Sequence, residues 1–194
     1  PKVAKNSPVK DFAPLSKNIK SLIWVLTIFS AVNFPDALLL LHLSQENYSV
    51  TEVVGLYLLF NISYAALSFP AGLLADRIQP KYVYSLGLVF FAFAYGGLAL
   101  TANKFAAILL VVLYGCFAAA NDVVGKSWVS KLAENNQQLS VQARLQGSTG
   151  FAILFAGIWA GVIWNVGPGL GIVPLFISAS LGLVAAVFVA ATKL

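Results

Sequence analysis

The chain has 194 residues, 59% of them hydrophobic and 10% charged, with a formal net charge of +5 and a mean hydropathy of +0.84. Soluble domains carry roughly 25% charged and about 45–50% apolar residues, so this composition excludes a soluble globule and predicts a bilayer protein. His42 and Cys116 are the sole histidine and cysteine, which excludes a zinc-type cluster and an internal disulfide; no nucleophile–base pair marks an enzyme and no cofactor is expected.

Residues 1–18, "PKVAKNSPVKDFAPLSKN", read as a basic, proline-bearing cytoplasmic linker or tail. The chain opens at Pro1 and contains no methionine, so residue 1 is not expected to be the natural start. The apolar run that follows is too long for a cleavable signal peptide. From residue 19 onward, charged residues fence off six apolar runs of roughly 21–26 residues, against the 20 or so that a spanning helix needs.

The first run, between Lys20 and Glu46, is predicted to be one helix carrying Asn33 and Asp36 at i, i+3 on one face. Pro35 should free the Ala31 carbonyl from its helical bond, and His42 lies near the far end as an interfacial side chain. The second, between Glu52 and Asp76, carries Tyr57, Asn61, Tyr64 and Ser68 as a polar stripe. The third (Lys81 to Lys104) and sixth (Leu170 to Thr192) lack charges within the span and hold few polar atoms, which marks them as lipid-facing, because polar groups in a membrane must face protein or water. The fourth, between Lys104 and Lys126, holds Asn121 and Asp122. The fifth, from Arg144 to about residue 165, contains Gly157 and Gly161 in "GIWAG", a spacing that permits close helix contact.

Six spans place both termini on one side. All Lys and Arg except Lys104 fall on that side, eleven of the twelve in the chain, so positive-inside bias makes the termini and the 75–81 and 126–145 loops cytoplasmic. Such a distribution explains the positive charge without nucleic acid, and no nucleic-acid partner is expected. Trp24, Trp128 and Trp164 fall near the predicted interfaces, as an aromatic belt would.

Between the second and third runs stands "GLLADRIQPK". Its Gly72, Leu74, Ala75, Asp76, Arg77 and Lys81 match the signature of the major facilitator superfamily, approximately G-x-L-a-D-R-x-G-R-K, while Gln79 and Pro80 depart from it. "NFPDALLLLHLSQ", "LYGCFAAANDVVGKSWVSKLA" and the residues from Gly147 resemble the first, fourth and fifth helices of the C-terminal half of many bacterial members. The resemblance covers about residues 19–194. It implies an all-α membrane protein whose six transmembrane helices form one such half, as two inverted three-helix repeats. It also implies secondary active transport of a small solute by alternating access, with first and fourth helices lining the cavity, and a cytoplasmic latch made by Gly72, Asp76, Arg77 and Lys81. Partners would be the solute, membrane lipids and a second six-helix half: a separate chain, a missing N-terminal half or a second copy. The location would be a bacterial inner or plasma membrane. The alternative is a non-transporting scaffold or assembly subunit of a larger membrane complex.

Several polar residues are candidates for binding solute or proton: Asp36, Asn33, Asn61, Tyr64 and Asn121. Each has a plainer reading. Asp36 could instead bond to backbone freed by Pro35 or to Asn33, and Asn61 and Tyr64 could simply tie helices together. Asp122 and Lys126, at i, i+4, make either a local ion pair at a helix end or a gate contact to another half. For Asp76 the alternative to a latch is an interfacial anchor.

Overall fold

In the computed structural model, residues 15–46, 48–167 and 171–192 are described, and these contain helices and no strand. The helices are α1 (Lys17–Ser30), α2 (Asp36–Gln45), α3 (Val50–Arg77), α4 (Pro80–Leu100), α5 (Lys104–Leu132), α6 (Gln138–Asn165) and α7 (Ile172–Ala191). Their starts follow local chemistry. Ser16 caps α1, Ser49 and Glu52 form a capping box on α3, and Asn103 caps α5 through Phe105 and Ala106. Side-chain oxygens at these positions satisfy amides that have no intrahelical partner. Gln79 and Pro80, the two departures from the signature, are the N-cap and first-turn residues of α4, where a missing N–H costs nothing.

Helices α3 to α7 are each long and apolar enough to cross a membrane. The first predicted span is different: it is broken at residues 31–35 into α1 and α2, of 14 and 10 residues. Pro35 lacks an N–H and precedes α2 as its cap residue. The backbone freed here is taken up by other helices. Trp159 Nε1 donates to the Ala31 carbonyl at 2.9 Å, as the proline led one to expect of a freed group, and Ser178 Oγ donates to the Val32 carbonyl at 2.7 Å. Non-helical backbone survives at membrane depth only when protein or a water-filled cavity satisfies it. Asn33 and Asp36 therefore do not share a helix face; one lies in the break and the other begins α2.

Fence posts also proved looser than helix ends. Helix α5 continues past Lys126 to Leu132, with a π-helical turn at Ala120–Val124, and α6 begins at Gln138, before Arg144. Charges mark where hydrocarbon ends, whereas backbone hydrogen bonding continues into the polar zone.

The core is built around α4, which packs against both α5 and α7, while α3 lies on α5 and α1 on α6. Phe29, Phe91 and Phe117 meet edge-on or tilted at ring separations of 4.8–5.8 Å, and Tyr95 and Tyr114 adjoin them. Where helices cross closely, glycine is required by space. A Cβ on Gly115 would sit 2.5 Å from Ser63 Cβ and 3.1 Å from the Tyr64 nitrogen, and one on Gly87 would sit 2.7 Å from Ala120 Cβ.

Three expectations are corrected by this packing. Over its most apolar stretch α4 is 56% buried, against 11% for α3, so the third span is chiefly a core helix rather than a lipid-facing one. Apolar side chains suit lipid and protein interior alike, so composition does not separate the two. Trp128 and Trp164 are buried, and only Trp24 is well exposed among the three belt candidates. The "GIWAG" pair does not pack as a pair within the chain: a Cβ on Gly157 would touch the Pro35 ring at 3.3 Å, whereas one on Gly161 meets nothing within 4 Å.

Candidate functional site

Polar side chains from three helices converge on α5, in two groups. The first forms around the break. Asp36, the first residue of α2, accepts a hydrogen bond on Oδ1 from the Tyr114 hydroxyl of α5 at 2.6 Å. Beside it, the Tyr95 hydroxyl of α4 donates to Asn33 Oδ1 at 3.4 Å, and the two tyrosine rings lie 5.5 Å apart. Among the described residues no Lys or Arg pairs with Asp36. Its position at a helix start suits its charge, because the dipole of α2 favours an anion there.

Two turns further along α5, roughly 12 Å by helical rise, lies the second group. The Tyr84 hydroxyl of α4 donates to Asn121 Oδ1 at 2.6 Å, and the Tyr64 hydroxyl of α3 donates to Asp122 Oδ2 at 2.9 Å. The other oxygen of Asp122 pairs with Lys126 Nζ at 2.6 Å. Asn121 and Asp122 lie within the π-helical turn; adjacent residues thereby reach two different neighbouring helices. All of these side chains except Tyr64 border an open cavity of about 130 Å³ between α1, α4, α5 and α6, with Ser30, Tyr84, Asn121, Asp122, Lys126 and Gln146 in its wall. The volume is that of a few water molecules at roughly 30 Å³ each. The wall offers donors from Lys126 and the two carboxamides and acceptors from Asp122, so it can hold a small polar group.

The structure thus brings Asn33 and Asp36 together through tyrosines, and Asn121, Asp122 and Lys126 around one cavity, with Tyr64 bonded to Asp122 from outside its wall. Asn61 joins neither group; its Nδ2 donates to the Tyr57 carbonyl one turn back at 2.7 Å. The plainer reading of Asp36 is also altered, since its partner is the Tyr114 hydroxyl rather than freed backbone or Asn33. His42 is a further correction: it is buried, its Nε2 lies 3.0 Å from the Leu98 carbonyl and its ring meets Trp164 edge-on. It ties α2 to α4 instead of standing at the interface.

At the signature, Asp76 does not pair with the basic residues of its own motif. Lys131, near the end of α5, donates to Asp76 Oδ1 at 2.8 Å and to the Ala75 carbonyl at 3.2 Å. Lys81 donates instead to the Thr192 carbonyl at the end of α7, at 2.8 Å, and Arg77 is exposed. A Cβ on Gly72 would meet Val123 only at an ordinary 3.5 Å, so packing places no demand for glycine there.

Tyr84, Tyr95, Tyr114 and Lys131 were missed in the sequence as site residues. One signal was available: Tyr84 and Tyr95 are eleven residues apart, three turns of a helix, and so share a face of the otherwise apolar α4.

Residues 21–193 match the profile of the Major Facilitator Superfamily. A protein of Methanocaldococcus jannaschii described as an uncharacterized MFS-type transporter is 29% identical over 160 residues, covering 79% of this chain and 40% of that protein. The chain therefore spans less than half the length of this curated relative.

Proposed function

The chain belongs to the major facilitator superfamily and is an integral, multi-pass membrane protein, and from that premise we propose that it supplies one six-helix half, the C-terminal one, of a secondary transporter moving a small solute by alternating access. The sixth crossing is α1 and α2 taken together: 14 and 10 residues give about 36 Å of helical rise, against about 30 Å of hydrocarbon. Both termini face the cytoplasm of a cell membrane, and a second six-helix half completes the pathway. The observation that carries this reading is the convergence on α5 of Asp36, Tyr64 and Tyr84 through hydrogen bonds to Tyr114, Asp122 and Asn121. In a membrane bundle, polar groups gathered between helices in this way support a solute route. Discontinuous helices such as α1–α2 accompany solute sites in transporters of this general kind.

The test uses the natural protein containing this segment, in a Cys116→Ser background, with Ser30→Cys or Asn121→Cys as the reporter. An impermeant maleimide is applied from either side of the membrane, with pooled organic acids, amines and sugars as competing solutes. Reaction from both sides, with protection by one pool, is expected. One-sided reaction indifferent to every pool, together with stable co-purification in a large complex, would favour the scaffold instead.

A further inference from the structure

Three acids of the chain already have their cation: Glu52 pairs with Lys104, Asp76 with Lys131 and Asp122 with Lys126. Among the described residues Asp36 pairs with none. Its Oδ1 takes the Tyr114 hydroxyl, and its Oδ2 receives no hydrogen bond among the described residues. Nor is Oδ2 sealed away, since the described side-chain oxygens that are both buried and unpartnered belong to Tyr48, Ser85 and Ser140. A charged acceptor thus stands open inside the first apolar run, where an uncompensated charge is costly.

Its surroundings are aromatic. Asp36, Tyr57, Phe60 and Tyr114 adjoin one small space between α2, α3 and α5, whose other walls are leucine and valine. Phe60 stacks on Tyr114 at a ring separation of 4.9 Å, and on Tyr57 and Tyr64 at 6.0 and 6.5 Å. The three rings of α3 form a ladder, and Tyr57 at one end of it is 42% exposed. Tyr64 at the other end leads to Asp122, whose charge Lys126 already offsets. Ring faces attract cations and offer apolar contact. An anion beside Asp36 is repelled, and a neutral solute leaves the carboxylate uncompensated.

We propose that the solute is a protonated amine with an apolar or aromatic body, which donates an N–H to Asp36 Oδ2 and lays its body along Tyr57, Phe60 and Tyr64. The N–H bond is charge-assisted, and a quaternary ammonium keeps the charge but has no N–H to give. This inference rests on the reading of the seam at α5 as the solute route, and it names the class of solute that uses that route.

Equilibrium dialysis of radiolabelled phenethylammonium against the natural protein in lipid nanodiscs, with empty nanodiscs as the blank, tests this without requiring transport. Saturable binding is expected, displaced by unlabelled phenethylammonium but not by phenethyl alcohol or hydrocinnamate, which keep the ring and lack or reverse the charge. The quaternary trimethyl analogue should compete about tenfold more weakly. Asp36→Asn, which still accepts from Tyr114, is expected to weaken binding by on the order of 10- to 100-fold. Phe60→Leu should weaken it about two- to fivefold. Absence of saturable binding to the wild-type protein, or equal displacement by phenethyl alcohol, overturns the class. Unchanged binding in Asp36→Asn overturns the role of the carboxylate, and equal competition by the quaternary analogue overturns the N–H bond. If Asp36→Asn does not fold, the displacement series on the wild-type protein still decides the class. The two readings also fail separately. Two-sided maleimide access with protection by acids or sugars alone keeps the route and removes the amine; phenethylammonium binding with one-sided access keeps the amine site and removes the route.

Discussion

Individual residues here matter by what donates to them. Among the described residues Asp36 has one side-chain donor, the Tyr114 hydroxyl at 2.6 Å, so Tyr114→Phe strips the acid of that bond without changing shape. A hydrogen bond to a charged group contributes about 1.5–3 kcal/mol, and a loss of that size is expected in denaturant titration in detergent. Tyr95→Phe should cost less, because its bond to Asn33 is 3.4 Å long. Asp122 and Lys126 differ in kind. Their side chains are 42% and 45% exposed, and exposed pairs contribute about 0–1 kcal/mol. Lys126→Gln should therefore leave stability nearly unchanged while altering solute protection of Asn121→Cys. His42→Ala loses both the Leu98 contact and the Trp164 ring, and a destabilisation of roughly 1–3 kcal/mol is expected.

At the scale of elements, the break between α1 and α2 is held by tertiary bonds as well as by Pro35. Pro35→Ala is expected to leave the break in place, because Trp159 and Ser178 still hold the Ala31 and Val32 carbonyls. Unchanged helical content in circular dichroism and unchanged labelling of an Asn33→Cys reporter would show this. Trp159→Phe should be the more harmful change, leaving a half-buried carbonyl unpaired at a cost of up to about 1–3 kcal/mol. The crossing of α3 and α5 makes a similar contrast. Gly115→Ala forces atoms to within 2.5 Å of Ser63, whereas Gly161→Ala meets open space within the chain. The first is expected to cost about 1–3 kcal/mol by overpacking, and the second under about 0.5 kcal/mol in the chain by itself.

For the whole molecule, the question is what covers the exposed apolar faces. Leu58, Ile62 and Phe69 of α3 and Phe151, Leu154 and Ile158 of α6 are exposed within the chain, as are Val184 and Val187 of α7. If a second half completes the pathway, those faces part company. A spin label at Phe151 is expected to be shielded from lipid-soluble oxygen in the natural protein, while one at Val187 stays accessible. Equal accessibility at both positions would count against pairing through α6.

Much of this is legible in the amino-acid sequence. Membrane residence, the approximate position of every long helix and the signature at 72–81 follow from the sequence, because a bilayer selects segments by summed hydrophobicity and length, which are properties of a string. What only the tertiary structure decided concerns rotation about helix axes and contact between distant segments. The broken first span is sustained by Trp159 and Ser178, more than a hundred residues away. Apolar α4 lies at the centre because hydrophobicity does not tell lipid from protein. Tyr84, Tyr95 and Tyr114 join the site only because the fold brings their hydroxyls to Asn121, Asn33 and Asp36. Lys131 reached Asp76 in place of the nearer Arg77 and Lys81, because one extra residue in a π turn sets where the end of α5 points, and local spacing carries no record of that turn.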